Sequence, residues 1–213
     1  MPRVRRIRPD AKRVLVTSSR MPHALDEIRK FGRMGHAVFA SDTFRTAPGN
    51  ASRYVQKRYL TASPTFDTIG FIDDIASIVR TQRIDLVVPA FEEVFRIAKH
   101  VDRFNGTHVF ISPFETLARL HAKHRFVELC RELDLPVPET RVVTGPDALR
   151  EATESFDEYL ARPGFTRGGL GILTNVGPLA GLRSYRETVG NPFGCVDLDF
   201  GPQVPLEFFC NRR

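Results

Sequence analysis

Cysteine is scarce in this sequence, and its three cysteines, Cys130, Cys195 and Cys210, show no C-x-x-C spacing. An odd number of cysteines does not pair completely within one chain, so neither a disulfide framework nor a zinc site is indicated. Long apolar runs are also missing, since none approaches the roughly 18 residues of a membrane-spanning helix. The basic start lacks the apolar segment of about 7 to 15 residues that a secretory signal requires. We therefore expect a cytoplasmic protein with no membrane contact.

Excess positive charge is confined to the start of the chain. The net charge is +6, and residues 1–13 hold six Lys or Arg and one Asp, which leaves only +1 for the other 200 residues. A basic arm over residues 1–12 is able to contact nucleic-acid phosphates without specificity. A solvated terminus is the simpler interpretation, so nucleic acid is an unlikely partner and the weakest of the functional hypotheses.

Residues 13–112 alternate between two hydrophobic periods. Continuous apolar runs occur at 13–18, 36–42, 84–93 and 107–112, and helical spacing follows the first of them at Leu25, Ile28 and Phe31. Runs that are apolar throughout are typical of a parallel sheet covered on both faces. The pattern predicts an α/β, doubly wound, Rossmann-like domain with four strands. The stretch between 43 and 70 is interpreted as irregular.

A dinucleotide site is excluded by the first turn of this domain. Its sequence, TSSRMPH, contains no glycine, whereas the dinucleotide fingerprint needs glycines for close approach to the pyrophosphate. Asp42 is therefore interpreted as a turn residue that ends a strand. Glu92 and Glu93 end the third predicted strand. Open α/β sheets bind ligands at that edge, so either glutamate is a candidate to line a substrate pocket, although a helix N-terminus also favours acidic residues.

The sequence changes character near residue 113, and residues 113–182 form the second predicted domain. It begins with two short amphipathic helices, whose apolar positions are Leu117 and Leu120, then Phe126, Leu129, Cys130 and Leu133. A strand at 140–144, a helix from Pro146, the strand YLARP and the segment GILTNV follow. Cys130 is expected in the core. His121 and His124 are three apart on a helix but lack a third ligand, so we expect a solvated face and no metal site.

Residues 159–172, YLARPGFTRGGLGI, place glycines at 164, 168, 169 and 171 directly after a strand that ends in Arg162. A loop that covers phosphates must bring backbone N–H groups close to charged oxygens, and glycine permits that approach. An arginine on the preceding strand is suited to bind two phosphate oxygens at once. Glycines also mark ordinary hairpin turns, so both interpretations remain open on these residues alone.

The order of these parts, together with the stretch RPGFTRGG at 162–169, resembles the ATP-grasp superfamily, and the large subunit of carbamoyl-phosphate synthetase in particular. The similarity spans roughly residues 13–180. It implies a Rossmann-like preliminary domain followed by the first lobe of a nucleotide clamp that binds ATP with Mg²⁺.

The resemblance also implies roles for individual residues. Lys123 stands where the family has a basic residue that opens a helix and contacts the nucleotide phosphates. Arg162 stands where the family has a strand cation facing phosphate and adenine. The remaining matches are lid residues, namely Thr166, Gly168, Gly169 and Gly171.

The family activates a small carboxylate as an acyl phosphate, which an amine or similar nucleophile then attacks. Its Mg²⁺ ligands, a Glu and a Glu-x-Asn pair, lie in a second lobe for which the tail at 183–213 has no room. Asp197 and Asp199 form only an alternating pair, and Glu207 and Asn211 are four apart. We therefore expect a truncated, inactive ATP-grasp chain without metal ligands of its own. A non-catalytic nucleotide-binding module, completed by a partner chain or a homo-oligomer, is the alternative.

Three explanations of this expected truncation are open: a fragment, a naturally short form, or a reading-frame change near residue 190. The tail lacks the hydrophobic periodicity of the preceding domains. This difference favours a reading-frame change.

Overall fold

The structure is a computed structural model that describes residues 10–104, 106–144, 146–165, 172–175 and 206–210. Its strands are β1 (Arg13–Val16), β2 (Ala37–Asp42), β3 (Val55–Leu60), β4 (Leu86–Val88), β5 (His108–Val109), β6 (Glu139–Val143), β7 (Leu160–Pro163), β8 (Leu173–Thr174) and β9 (Leu206–Cys210). Its helices are α1 (Pro22–Arg33), α2 (Thr68–Gln82), α3 (Glu93–Lys99), α4 (Phe114–His121), α5 (Lys123–Glu132) and α6 (Pro146–Glu154). Within the described ranges, no helix is long and apolar enough to cross a bilayer.

The chain divides into two compact units, Met1–Phe114 and Glu115–Arg213. The first unit is built on a five-stranded sheet in the order β3-β2-β1-β4-β5, and every pair of neighbouring strands is parallel. The predicted α/β class with a parallel sheet is confirmed. Because parallel strands need crossover connections, helices pass between them and cover the sheet.

Alternate residues of β1 serve two different cores. Val14 and Val16 belong to a buried cluster with Ile28 of α1, whereas Leu15 belongs to a cluster with Ile75 of α2. Successive side chains of a strand point to opposite faces, so both faces of β1 are covered. This explains why the strand is apolar without alternation.

The expectation of an irregular stretch between 43 and 70 is wrong, because it contains the fifth strand, β3. β3 pairs only with β2 and lies at the edge of the sheet. Its sequence VQKRYL is largely exposed, with Lys57 and Arg58 among the exposed positions. An edge strand with charged side chains is protected against pairing with other chains. Because of the same charges, β3 does not form an apolar run, and a prediction based on apolar runs misses it.

Helix α2 has well-defined ends. Asp67 caps its N-terminus, where the carboxylate accepts a hydrogen bond of 2.9 Å from the Gly70 N–H. At its C-terminus Arg83 adopts a left-handed conformation with φ of 48°. The Arg83 N–H donates to the carbonyls of Val79 and Arg80, so the last carbonyls of the helix are satisfied within the chain.

The second unit has a four-stranded sheet in the order β6-β9-β7-β8, in which neighbouring strands are antiparallel. Helix α6 contributes Leu149 and Ala152 to a buried cluster that includes Val143 of β6 and Ala161 of β7. Strand β9 was not predicted, since the tail shows no periodicity. It lies between β6 and β7, and it completes this sheet from the far end of the chain.

Helices α4 and α5 confirm the two predicted helices but correct their buried faces. The predicted stripe residues Leu120, Phe126 and Leu133 are exposed. The buried positions are instead Ala118 on α4, and Val127 and Cys130 on α5. Cys130 is 8% exposed, which confirms its expected place in the core. The other stripe residues, Leu117 and Leu129, are half-buried.

Candidate functional site

Lys123 is the first residue of α5, and it holds that helix against the end of β7. The residue before it, Ala122, provides no side-chain cap. The Lys123 N–H donates instead to the Gly164 carbonyl at 2.9 Å, and the ammonium group lies 3.4 Å from the same oxygen. The N-terminal N–H groups of a helix need partners from outside the helix, and here the backbone beyond β7 provides one.

Arg162 lies in β7, two residues before Gly164. Its neighbour Ala161 is 1% exposed and anchors the strand in the core, while Arg162 itself is half-buried. The register of the sheet pairs Arg162 with Glu207 of β9. The fold therefore brings the start of α5 and the end of β7 together at a point that we call the α5–β7 junction, comprising Lys123, Arg162 and Gly164.

The glycine-rich stretch begins at this junction. Of its predicted phosphate-binding residues, Thr166, Gly168, Gly169 and Gly171 lie outside the described residues. The described start of the stretch is fixed by Phe165, whose ring packs on His121 with centroids 4.6 Å apart and planes inclined by 60°. The stacking joins the end of α4 to the beginning of the glycine stretch.

The histidine face of α4 and α5 is only partly solvated, because His121 and His124 are both half-buried. Burial lowers the pKa of His124, Arg125 lowers it further, and Glu128 opposes the shift. The lowered pKa favours the neutral form of His124, so this side chain is not counted among the positive charges of the α5–β7 junction.

The carboxyl edge of the parallel sheet, where β1, β2 and β4 end, carries a second set of polar side chains. Glu93, the first residue of α3, is 3% exposed. One of its carboxylate oxygens accepts hydrogen bonds from the Thr17 hydroxyl and from the Ala90 N–H. The other, Oε2, is buried without a hydrogen-bond partner in the described part of the chain. Glu92, the N-cap of α3, is half-buried.

Glu27 faces the same edge from α1. Burial raises the pKa of its carboxyl group, His23 and Lys30 lower it, and Asp26 and Glu93 raise it further. The Glu27 Oε2 atom is also buried without a hydrogen-bond partner among the described residues. Two carboxyl groups with unsatisfied oxygens thus lie near one another at the carboxyl edge.

Arg20 and Asp42 form an ion pair at this edge that the sequence did not predict. Their closest N–O distance is 2.9 Å, and the Asp42 carboxylate also accepts from the N–H groups of Arg20 and Phe44. The Arg20 guanidinium lies over the rings of Phe44 and Phe91. The bond to Phe44 confirms Asp42 as a turn residue at the end of β2. The ion pair itself could not be predicted from a local sequence pattern, because its residues are 22 positions apart.

Metal ligands do not assemble in the described ranges, where no group of three or more His, Cys, Asp or Glu side chains is placed to hold an ion. Asp197, Asp199 and Asn211 lie outside the described residues. The expectation about metal ligands in the tail therefore stays a prediction.

Sequence comparison connects the chain to a known enzyme, although no protein-family model matches it. The chain is 28% identical over 182 residues to the carbamoyl phosphate synthase large chain of Thermus thermophilus. The match covers 82% of this chain and 17% of the relative. The chain thus spans about one sixth of the length of the relative.

Solved structures share the fold at low identity. The biotin carboxylase of Campylobacter jejuni, in an ATP complex, has a TM-score of 0.66 at 12% identity over 95% of this chain and 45% of its own. An L-amino acid ligase from Bacillus licheniformis has a TM-score of 0.65 at 12% identity over 94% of this chain and 44% of its own.

A third structure, the biotin carboxylase domain dimer of the Hydrogenobacter thermophilus 2-oxoglutarate carboxylase, was solved with ADP, MgADP and bicarbonate. Its TM-score is 0.62 at 14% identity, over 94% of this chain and 44% of its own. The sequence relative and the fold neighbours agree, and they confirm that the chain resembles the ATP-grasp superfamily and shares its fold.

Proposed function

We propose that the α5–β7 junction binds the phosphates of ATP, and that the chain is part of a ligase that activates a carboxylate. The observation that carries this proposal is the double contact of Lys123 with Gly164. It holds an ammonium group and a helix N-terminus at the point where the glycine stretch follows Arg162. All three residues of the junction belong to the second unit.

The junction suits an anion on physical grounds. The N-terminus of α5 carries the positive end of the helix dipole, which favours phosphate. Lys123 and Arg162 add two formal positive charges, and hydrogen bonds between charged groups and phosphate are about twice as strong as neutral ones.

The donor set does not suit Mg²⁺. The side chains at the α5–β7 junction supply nitrogen donors, whereas Mg²⁺ requires oxygen ligands in octahedral geometry. The α5–β7 junction therefore does not supply ligands for the Mg²⁺ that is expected to accompany ATP in this superfamily.

The proposed reaction is transfer of the γ-phosphate of ATP to a small carboxylate. The carboxylate oxygen attacks phosphorus, ADP leaves, and the acyl phosphate that results is then attacked by an amine with loss of phosphate. We propose that Glu93 contributes to the substrate site, because its Oε2 atom is buried at the carboxyl edge without a hydrogen-bond partner in the described part. Glu92 is the second candidate.

Isothermal titration calorimetry with Mg-ATP tests the nucleotide site. Lys123→Met removes the ammonium group, and Arg125→Met, on the exposed face of the same helix, is the matched control. Loss of a charged hydrogen bond of about 1.5–3 kcal/mol weakens ATP binding on the order of tenfold or more. Equal ATP affinity for the two variants would refute the site.

Phosphate release separates the ligase from the alternative of a non-catalytic nucleotide binder. The chain is incubated with Mg-ATP and a panel of small carboxylates, with and without ammonium as the nucleophile. Carboxylate-dependent phosphate release supports the ligase. Tight ATP binding without release in any mixture supports the non-catalytic module or the expected truncated, inactive form of the ligase, and contradicts a ligase that is active as this chain.

A further inference from the structure

A cavity of about 460 Å³ opens at the amino-terminal edge of the parallel sheet, opposite to the carboxyl edge. It lies where α2 ends, where β4 begins at Leu86 and where β5 begins at His108. We call it the amino-edge cavity. Its volume falls in the range of small-molecule sites, which is about 300–1,000 Å³.

The floor of the amino-edge cavity is apolar. It is formed by Val79 at the end of α2, by Ile84 just before β4, and by Phe104. These side chains are 7%, 3% and 2% exposed, so they also belong to the core of the first unit. Because so little of their surface is exposed, they fix the shape of the cavity and offer a ligand only a small contact area.

The rim of the cavity is strongly basic. Arg80, Arg83 and Arg103 line it together with a single carboxylate, Asp85. One oxygen of that carboxylate already accepts a hydrogen bond of 2.7 Å from the Arg13 N–H. Three guanidinium groups around one opening repel each other and attract an anion.

Two of these guanidinium groups are available to a ligand. Arg103 pairs with Asp73 at 2.6 Å. Within the part of the chain that the structure describes, the side chains of Arg80 and Arg83 form neither a hydrogen bond nor an ion pair. Both are exposed.

Arg83 is the C-terminal cap of α2, and its left-handed conformation, with φ of 48°, ends the helix at the rim of the cavity. In addition, the carbonyls of Val79 and Arg80 already accept hydrogen bonds, which reduces the repulsion that the C-terminus of α2 would exert on an anion.

We propose that the amino-edge cavity binds a small organic phosphate, with the phosphate on Arg80 and Arg83 and the organic part in the remaining volume of the cavity. Two unpaired guanidinium groups match the charge of a phosphate dianion, and each has the forked geometry that binds two oxygens. Inorganic phosphate alone would fill only part of a cavity of about 460 Å³. This proposal is independent of the ATP site, because all its residues belong to the first unit.

Calorimetry of the full-length chain with AMP as the probe tests the proposal. The measurements use a Lys123→Met background, so that the α5–β7 junction contributes little to the signal. The double variant Arg80→Gln/Arg83→Asn removes both charges while keeping a side chain that tolerates the left-handed conformation at position 83. Arg29→Gln, on an exposed position of α1, is the matched charge control.

AMP is expected to bind the background protein more tightly than either inorganic phosphate or adenosine. The double variant is expected to weaken AMP binding on the order of tenfold or more, because a charged hydrogen bond contributes about 1.5–3 kcal/mol. The control is expected to bind AMP within about twofold of the background. Unchanged AMP affinity in the double variant, adenosine binding equal to AMP binding, or no AMP binding at millimolar concentration would each overturn the proposal.

Discussion

Lys123 contacts the Gly164 carbonyl through two different nitrogens, its main-chain N–H at 2.9 Å and its ammonium group at 3.4 Å. The two contacts have separable roles. The main-chain bond fixes the start of α5, whereas the ammonium group is the part that a phosphate would attract. Substitutions at this one position therefore distinguish stability from binding.

Lys123→Pro is expected to be less stable than Lys123→Met. Proline fits the first position of a helix, and the extended Ala122 at φ −67° and ψ 113° tolerates a following proline. The difference between the variants is thus the lost N–H, which leaves the Gly164 carbonyl without this donor at a cost of about 1 kcal/mol. Urea denaturation followed by circular dichroism measures it. Identical midpoints would show that the main-chain bond does not hold the helix.

Burial decides the effect of leucine substitutions, and two positions provide a matched pair. Leu15→Ala removes a side chain with no exposed surface between β2 and β4, and the expected loss is about 2–5 kcal/mol. Leu120→Ala alters a side chain that is 53% exposed, and the expected loss is roughly 0.5 kcal/mol or less. Thermal unfolding compares the two. A large loss for Leu120→Ala would show that its exposure is not that of the protein in solution.

Leu15 and Leu120 also show what the sequence pattern predicts about burial and what it does not. The run around Leu15 is apolar at every position, so its burial on both faces is predictable from composition alone. The helical period at Leu120 and Phe126 identified an apolar stripe correctly but not its burial. The buried positions are Ala118 and Val127, whose side chains are small. They contribute less to an apolar pattern in the sequence than leucine or phenylalanine does.

Side-chain contacts at the carboxyl edge of the sheet were less predictable from the sequence than the strands were. The hydrogen bond between Thr17 and Glu93 joins residues 76 positions apart, and no local period records such a contact. The general rule that ligands bind at the carboxyl edge selected Glu93 as a candidate. It gave no indication of Glu27 or Arg20, whose roles depend on how the helices pack after the crossovers form.

Glu27→Gln is expected to stabilise the protein at pH 7. Burial raises the pKa of Glu27, helped by Asp26 and Glu93 and opposed by His23 and Lys30. A carboxyl group with a raised folded-state pKa contributes stability below its ordinary pKa and loses that contribution as the pH rises through the raised value. At pH 7, above the ordinary glutamate range, ionisation of this half-buried carboxyl group is therefore less favourable in the folded protein than in the unfolded one, and the amide removes that cost.

The stability gain of Glu27→Gln should vanish as the pH falls below the ordinary glutamate range, because the wild-type carboxyl group is then protonated as well. Glu151→Gln, at an exposed position of α6, is the control, and its effect on stability should be small at both pH values. Urea denaturation at pH 7 and pH 3 measures both. If Glu27→Gln raised the free energy of unfolding equally at the two pH values, packing and not charge would explain the effect.

Asp134→Gly is expected to stabilise the C-terminus of α5. Asp134 follows the helix with φ of 53°, and the Leu135 N–H closes the turn by donating to the Cys130 carbonyl at 2.8 Å. Glycine adopts this left-handed conformation without the steric cost of a Cβ atom, and removal of a negative charge from a helix C-terminus is also favourable. Asp134→Ala removes the same charge but keeps the Cβ atom. Thermal unfolding should therefore rank glycine above alanine by about 1 kcal/mol, whereas equal stability of the two variants would show that only the charge matters.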